Sequence, residues 1–130
     1  MSFKKFILVA CVVLLAMCFI TGCNKNDALI DTDFSSKFSE YEGEEWCEFG
    51  DDGSYMIIDT NPMDSDNGFV RNAWNAVEEI NIELGFSESV FKKMGETRSL
   101  DGRQEEENDK YKVSWTYHPN DGLEVMYENK

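Results

Sequence analysis

Histidine occurs once in this chain of 130 residues, at position 118. A single imidazole leaves neither a His-rich zinc set nor a conventional Ser-His or Cys-His catalytic arrangement with its parts in place. Basic residues are also scarce: 12 Lys and Arg stand against 26 Asp and Glu, for a formal net charge of −14. A charge of that sign repels phosphate backbones and anionic head groups, which argues against a DNA- or RNA-binding role and against a polybasic membrane grip. Basic proteins, cations and neutral ligands remain as partners. The alternative account of the acidity is solubility and self-repulsion near a crowded surface. Carboxylates are plentiful, but nothing in the sequence holds two at a defined separation, and a polysaccharide cleft normally needs a larger scaffold. No cofactor and no resident metal is expected, and the chain is read as non-enzymatic.

What is present begins with the N-terminal segment. Lys4 and Lys5 precede an uninterrupted apolar stretch from Phe6 to Ile20, the length of a signal-peptide core and short of the roughly 20 residues of a bilayer-spanning helix. Ile20-Thr21-Gly22-Cys23 closes it. Charge, apolar run, small residues and cysteine in this order resemble the lipobox signal of bacterial lipoproteins. The resemblance implies removal of residues 1–22, a mature chain that begins at Cys23, and a thioether-linked diacylglyceryl group on the Cys23 thiol. Two or three acyl chains on one residue satisfy the requirement for stable anchoring. An uncleaved signal anchor is the alternative, although such anchors usually run longer. The implied location is the cell membrane, lipid-anchored and facing the extracytoplasmic side.

Processing would leave 10 basic against 26 acidic side chains, a net charge of −16. Cys11 and Cys18 would depart with the signal and Cys23 would carry lipid, so Cys47 alone would remain and no intramolecular disulfide could form. Cys47 lies in the alternating Glu45-Trp46-Cys47-Glu48-Phe49, and reads as a small buried hydrophobe rather than a reactive thiol or an intermolecular bridge.

Residues 23–43 are acidic and polar and read as a tether. Against this, Ile30, Phe34, Phe38 and Tyr41 recur at helical spacing, so a short helix that docks on the domain, or folds on a partner, is equally open. Residues 44–130 read as one small α+β domain. Glu45–Phe49, Gly50-Asp51-Asp52-Gly53 and Ser54–Asp59 form a hairpin pattern, ended by Asn61-Pro62. A helix is expected from Phe69 to Leu84, with Val70, Ala73, Trp74, Val77, Ile80 and Leu84 on one stripe, Asp66 or Asn67 as cap and Gly85 as stop. A second opens at Ser87, turns Val90, Phe91 and Met94 inward and closes at Gly95. Residues 97–108 read as a charged loop with some helical character.

The clearest strand is Lys110–Tyr117, with Tyr111, Val113, Trp115 and Tyr117 on one face. The turn His118-Pro119-Asn120-Asp121-Gly122 leads to Leu123–Tyr127. Setting Tyr117 opposite Leu123 sets Trp115 opposite Val125 and Lys112 opposite Glu128, a register consistent on both faces. The expected architecture is an antiparallel sheet of about four strands, two hairpins, with two helices packed on one face.

Remaining candidates have plain readings beside sharper ones. His118 reads as a solvent-facing turn residue rather than a base or ligand. Asp59, Asn61, Asp64, Asp66 and Asn67 form an oxygen-rich loop that calcium could use, but counting from Asp64 places Gly68 fifth and Asn75 where an EF-hand needs its bidentate acid. Lys92, Lys93, Arg98 and Arg103 either pair with nearby acids such as Glu105, Glu106 and Glu107 or form a small anion site. Two functional classes follow: a binding or accessory lipoprotein working through its sheet face or the Ile30–Tyr41 segment, and an inhibitor or immunity-type lipoprotein that neutralises a basic hydrolase or toxin.

Overall fold

The computed structural model describes residues 31–66 and 68–130. The signal segment, Cys23, Ile30 and Asn67 lie outside the described residues. A compact unit spans Asp31–Lys130. Its elements are α1 (Phe34–Lys37), β1 (Cys47–Phe49), β2 (Tyr55–Asp59), α2 (Arg71–Glu83), α3 (Glu88–Glu96), β3 (Gln104–Glu107), β4 (Tyr111–His118) and β5 (Gly122–Asn129), with short 3-10 turns at Ser39–Tyr41 and Ser99–Asp101. The strands form one open antiparallel sheet in the order β1-β2-β5-β4-β3. The chain is thus a small α+β domain, with five strands and three helices among the described residues where about four strands and two helices are expected from sequence.

Register in the β4–β5 hairpin is Lys112 opposite Glu128, Trp115 opposite Val125 and Tyr117 opposite Leu123. Alternation alone determines it, because a one-residue slip would carry every apolar side chain to the wrong face. One sheet face carries Met56, Ile58, Val113, Trp115, Val125 and Tyr127, all fully buried. Ala73, Ala76, Val77 and Ile80 of α2 and Val90 and Met94 of α3 complete the core against it. Buried polar groups are paired: the Tyr127 hydroxyl donates to Asn81 Oδ1 at 2.9 Å, and Trp115 Nε1 donates to Thr97 Oγ1 at 2.8 Å. Gly85, at φ +79°, terminates α2 as its left-handed conformation requires.

The extra strand is β3. Gln104-Glu105-Glu106-Glu107 has poor strand propensity and reads as loop. It is a strand because β4 offers a free edge, and Lys112 lies between Glu105 at 3.5 Å and Glu128 at 3.4 Å, relieving the crowded carboxylates. A short acidic edge also discourages pairing with other chains. Two helix ends differ from expectation as well. Val70 is the N-cap of α2 and supplies no side-chain cap, and α3 passes through Gly95 to Glu96.

The extra helix is α1, and it resolves the alternatives for the Ile30–Tyr41 stripe across the described residues 31–41. Phe34 is fully buried and Phe38 nearly so. Their rings stack at 6.3 Å, and Phe34 meets Tyr111 edge-on at 6.0 Å. Asp33 caps the turn through Ser35 and Ser36. Thr32 N–H donates to Asn129 Oδ1, and Asn129 Nδ2 donates back to the Thr32 carbonyl, at 3.0 and 2.8 Å. The packed unit therefore begins upstream of the Glu44 boundary read from sequence. No helix among the described residues is long and apolar enough to cross a membrane.

Candidate functional site

A cleft of about 550 Å³ opens where the β4–β5 turn, the start of α2 and the end of α3 converge. Its position follows from local chemistry. Thr60 ties the end of β2 to the start of β5: Thr60 N–H donates to the Leu123 carbonyl at 2.9 Å, and Thr60 Oγ1 accepts from Leu123 N–H at 2.8 Å. Val70 N–H then donates to the Thr60 carbonyl at 2.8 Å, which aims the chain into α2. Beside it Asn61 is buried and fully used. Its Nδ2 donates to the carbonyls of Asn120 and Ser65 at 2.6 and 2.9 Å, and its Oδ1 accepts from Ser65 N–H. Asn61 thus clamps its own loop to the β4–β5 turn. Gly122 approaches so closely, at φ +77°, that a Cβ would lie 2.8 Å from both Thr60 Oγ1 and Asn61 Cβ. Only glycine meets both conditions.

The walls are aromatic. Trp74 packs on Phe91 with ring centroids 4.6 Å apart, and Gly95 lies against the Trp74 ring edge. Phe69 is 58% exposed and Tyr117 38%, so both rings stand at the cleft in solvent. Glu96 and Arg98 complete the rim, with Arg98 also 3.2 Å from Asp101. Asp59, which ends β2 one residue before Thr60, has a carboxyl raised above its ordinary value, first by burial and then by repulsion from Asp64 and Asp121.

Residues singled out from sequence are distributed otherwise. His118 is exposed and its Nδ1 accepts from Asn120 N–H at 3.2 Å, with Asp121 3.7 Å away. Cys47 sits half-buried on edge strand β1, with β2 and β5 between it and β4, about three strand spacings or 14 Å from the His118 strand. Burial, with Glu44 second, pushes its thiol up to about 12. It is thus protonated at neutral pH and a poor nucleophile. Lys92 faces Glu96 at 3.9 Å, Lys93 bonds Glu106, and Arg103 lies 3.8 Å from Glu124. The four cations are dispersed, each beside its own acid. In the 59–66 loop, Asn61 bonds protein groups, and among the described residues no group of three or more His, Cys, Asp or Glu converges to hold a metal.

Phe69 and Gly95 are not singled out as site residues from sequence, and Asn61 is singled out there only as an oxygen of a possible calcium loop. Signals existed for two. Phe69 stands off the apolar stripe of α2, and Gly95 weakens a helix by about 1 kcal/mol relative to alanine without a turn to justify it. The class this geometry defines is a small α+β domain with an aromatic cleft at one end of an open antiparallel sheet. Comparison of the chain with protein-family models, curated proteins and solved structures gives no match.

Proposed function

We propose that the chain is a lipid-anchored extracytoplasmic lipoprotein acting as a non-enzymatic binding or accessory module. The observation that carries this reading is the run Lys4-Lys5, Phe6–Ile20, Thr21-Gly22-Cys23, in which a single cysteine closes an export signal. The non-enzymatic part is supported by the exposed, hydrogen-bonded His118 and the high thiol pKa of Cys47. Replacing Cys23 with Ala is expected to abolish labelling by palmitate and to release the protein from the membrane fraction. A Cys23→Ala protein that stays membrane-bound with Met1 at its N-terminus overturns the reading.

A second reading, an inhibitor or immunity-type lipoprotein, is favoured by one observation. The sheet face opposite the core carries Glu105, Glu107, Glu124 and Glu128, with Lys112 and Arg103 set among them. Such a face suits a basic hydrolase or toxin through charge complementarity. Binding that collapses between low and moderate salt favours this reading, and binding indifferent to salt favours the accessory module.

A further inference from the structure

Ile82 is 71% exposed on α2, although isoleucine is a weaker helix former than the polar residues that usually fill such a position. At that exposure it adds little to the core. Trp74, Glu78 and Ile82 follow one another at four-residue steps and so share one edge of α2. Phe86, in the connection to α3, and Glu88 and Phe91 of α3 stand across from that edge. Glu78, Ile82, Phe86, Glu88 and Phe91 line a hollow of about 280 Å³ between the two helices. That volume falls short of the roughly 300–1,000 Å³ of sites that enclose a whole small ligand, and suits a single inserted side chain.

Charge at this hollow has one sign. Both ionisable residues that line it are acids, and the cations of neighbouring turns are engaged elsewhere: Lys37 with Glu83 at 2.8 Å, Lys92 with Glu96 at 3.9 Å, and Lys93 with Glu106. α2 has no basic residue in its last turn, and its three acids fare differently. Glu79 accepts from the Tyr41 hydroxyl and Glu83 from Lys37 Nζ, each at 2.8 Å. Glu78 accepts from no side chain among the described residues, and Glu88, which suits the N-terminus of α3, has no ion pair among them. Asn81 also borders the hollow but is used inside the fold: its Oδ1 accepts from the Tyr127 hydroxyl and its Nδ2 donates to Met94 Sδ. Recognition here falls to two carboxylates and an apolar floor.

We propose that this hollow receives an arginine side chain from a basic protein segment, its methylene stem lying on Ile82, Phe86 and Phe91 and its guanidinium beside Glu78 and Glu88. The proposal rests on the binding-module reading and names a contact point and the partner chemistry for it. A long cationic side chain matches both components, because its stem covers apolar surface while its charged head stays at the water. Arginine matches better than lysine. Its planar, weakly hydrated fork can lie on an aromatic ring and bond a carboxylate through two N–H groups. An acidic segment meets repulsion instead.

The test uses the full chain in neutral detergent with end-capped pentapeptides that hold arginine, citrulline, lysine or glutamate between pairs of alanines, and with glycerophosphocholine as a lipid head group. Citrulline keeps the shape of arginine and removes its charge. Backbone amide shifts report the binding site. The arginine peptide is expected to move the signals of Ile82, Phe86 and Phe91 and to bind at least about fivefold more tightly than the citrulline and glutamate peptides, with lysine between them. Ile82→Ser and Glu78→Gln are each expected to weaken it about threefold or more with the melting temperature retained. Both side chains are exposed, so both variants keep the fold. Absence of shifts, equal binding of the arginine and citrulline peptides, preference for lysine or for glycerophosphocholine, shifts centred on Tyr117 or on the outer sheet face, or affinity unchanged by either variant would each overturn the proposal. Membrane release of Cys23→Ala is independent of these outcomes. A silent hollow beside an intact anchor removes this contact and leaves the lipoprotein reading standing, and a failed anchor leaves binding at the hollow to be judged alone.

Discussion

The two ends of the sheet are closed by opposite means. Where β4 begins and β5 ends, rings fill the space: Phe34 and Phe38 are buried, Tyr111 packs on Phe34, and Asn129 binds Thr32 and Ser54. About 25 Å away, at eight residues of strand, the β4–β5 turn is held by hydrogen bonds of Thr60 and Asn61, and the rings of Phe69 and Tyr117 remain in solvent. The first end turns apolar surface into stability. The second keeps its shape with polar groups and leaves apolar surface free, the division expected between a core and a contact site.

This contrast can be broken most forcefully at the packed end. Phe34→Ala is expected to cost about 3–5 kcal/mol, because its cavity lies between α1 and the sheet and the short helix has little else to hold it. Denaturant unfolding measures this, and a cost below about 1 kcal/mol would mean that residues 31–43 are dispensable. At the cleft end Asn61→Ala should cost less, about 1–3 kcal/mol, by stranding the carbonyls of Asn120 and Ser65. Its accompanying signature is faster amide exchange confined to the 61–66 loop and the β4–β5 turn. Uniform exchange across the domain would contradict the clamp.

Acid titration sharpens the comparison, since carboxyls at the two ends shift oppositely. Asp33 is held below its ordinary value, chiefly by the Ser35 and Ser36 hydroxyls. Its contribution is therefore present above the unfolded pKa near 4 and is lost as pH falls through the lower folded value. Asp59 is raised by burial. Its charged form destabilises the fold above its folded pKa, and protonation as pH falls relieves that cost. Between about pH 5 and 3, Asp33→Ala should lessen the loss of stability on acidification, and Asp59→Asn should steepen it by removing a compensating gain. Melting temperatures across that window check both signs, and parallel curves for the two variants would refute the assignment.

The smallest effect is expected from Leu100→Ser, at 92% exposure. Stability should change by less than about 0.5 kcal/mol. His118→Asn should likewise leave fold and biological activity nearly intact, since its one close bond is a local turn bond to Asn120 that asparagine can replace. Loss of a measured activity at unchanged melting temperature would make His118 a base or ligand and end the non-enzymatic reading.

The β4–β5 register is legible in the sequence, because alternating Tyr111, Val113, Trp115 and Tyr117 permit one pairing that hides the rings and joins Lys112 to Glu128. The stripes of α2 and α3 and the stop at Gly85 are legible for the same reason, each being set by neighbours a few positions away. The acidic balance and the lipobox-like run at Cys23 belong to the sequence alone. Strand β3 could not be read there, because Gln104–Glu107 takes its conformation from the edge of β4 rather than from its own propensities. Nor could the use of Phe34 and Phe38, whose spacing suits a docked helix or a free one until the sheet presents Tyr111 beneath them. The cleft depended on folding most of all: Thr60, Phe69, Gly95 and Tyr117 come from four segments, joined by the long-range bonds of Asn61 and Thr60 and by the packing of α3 in the core.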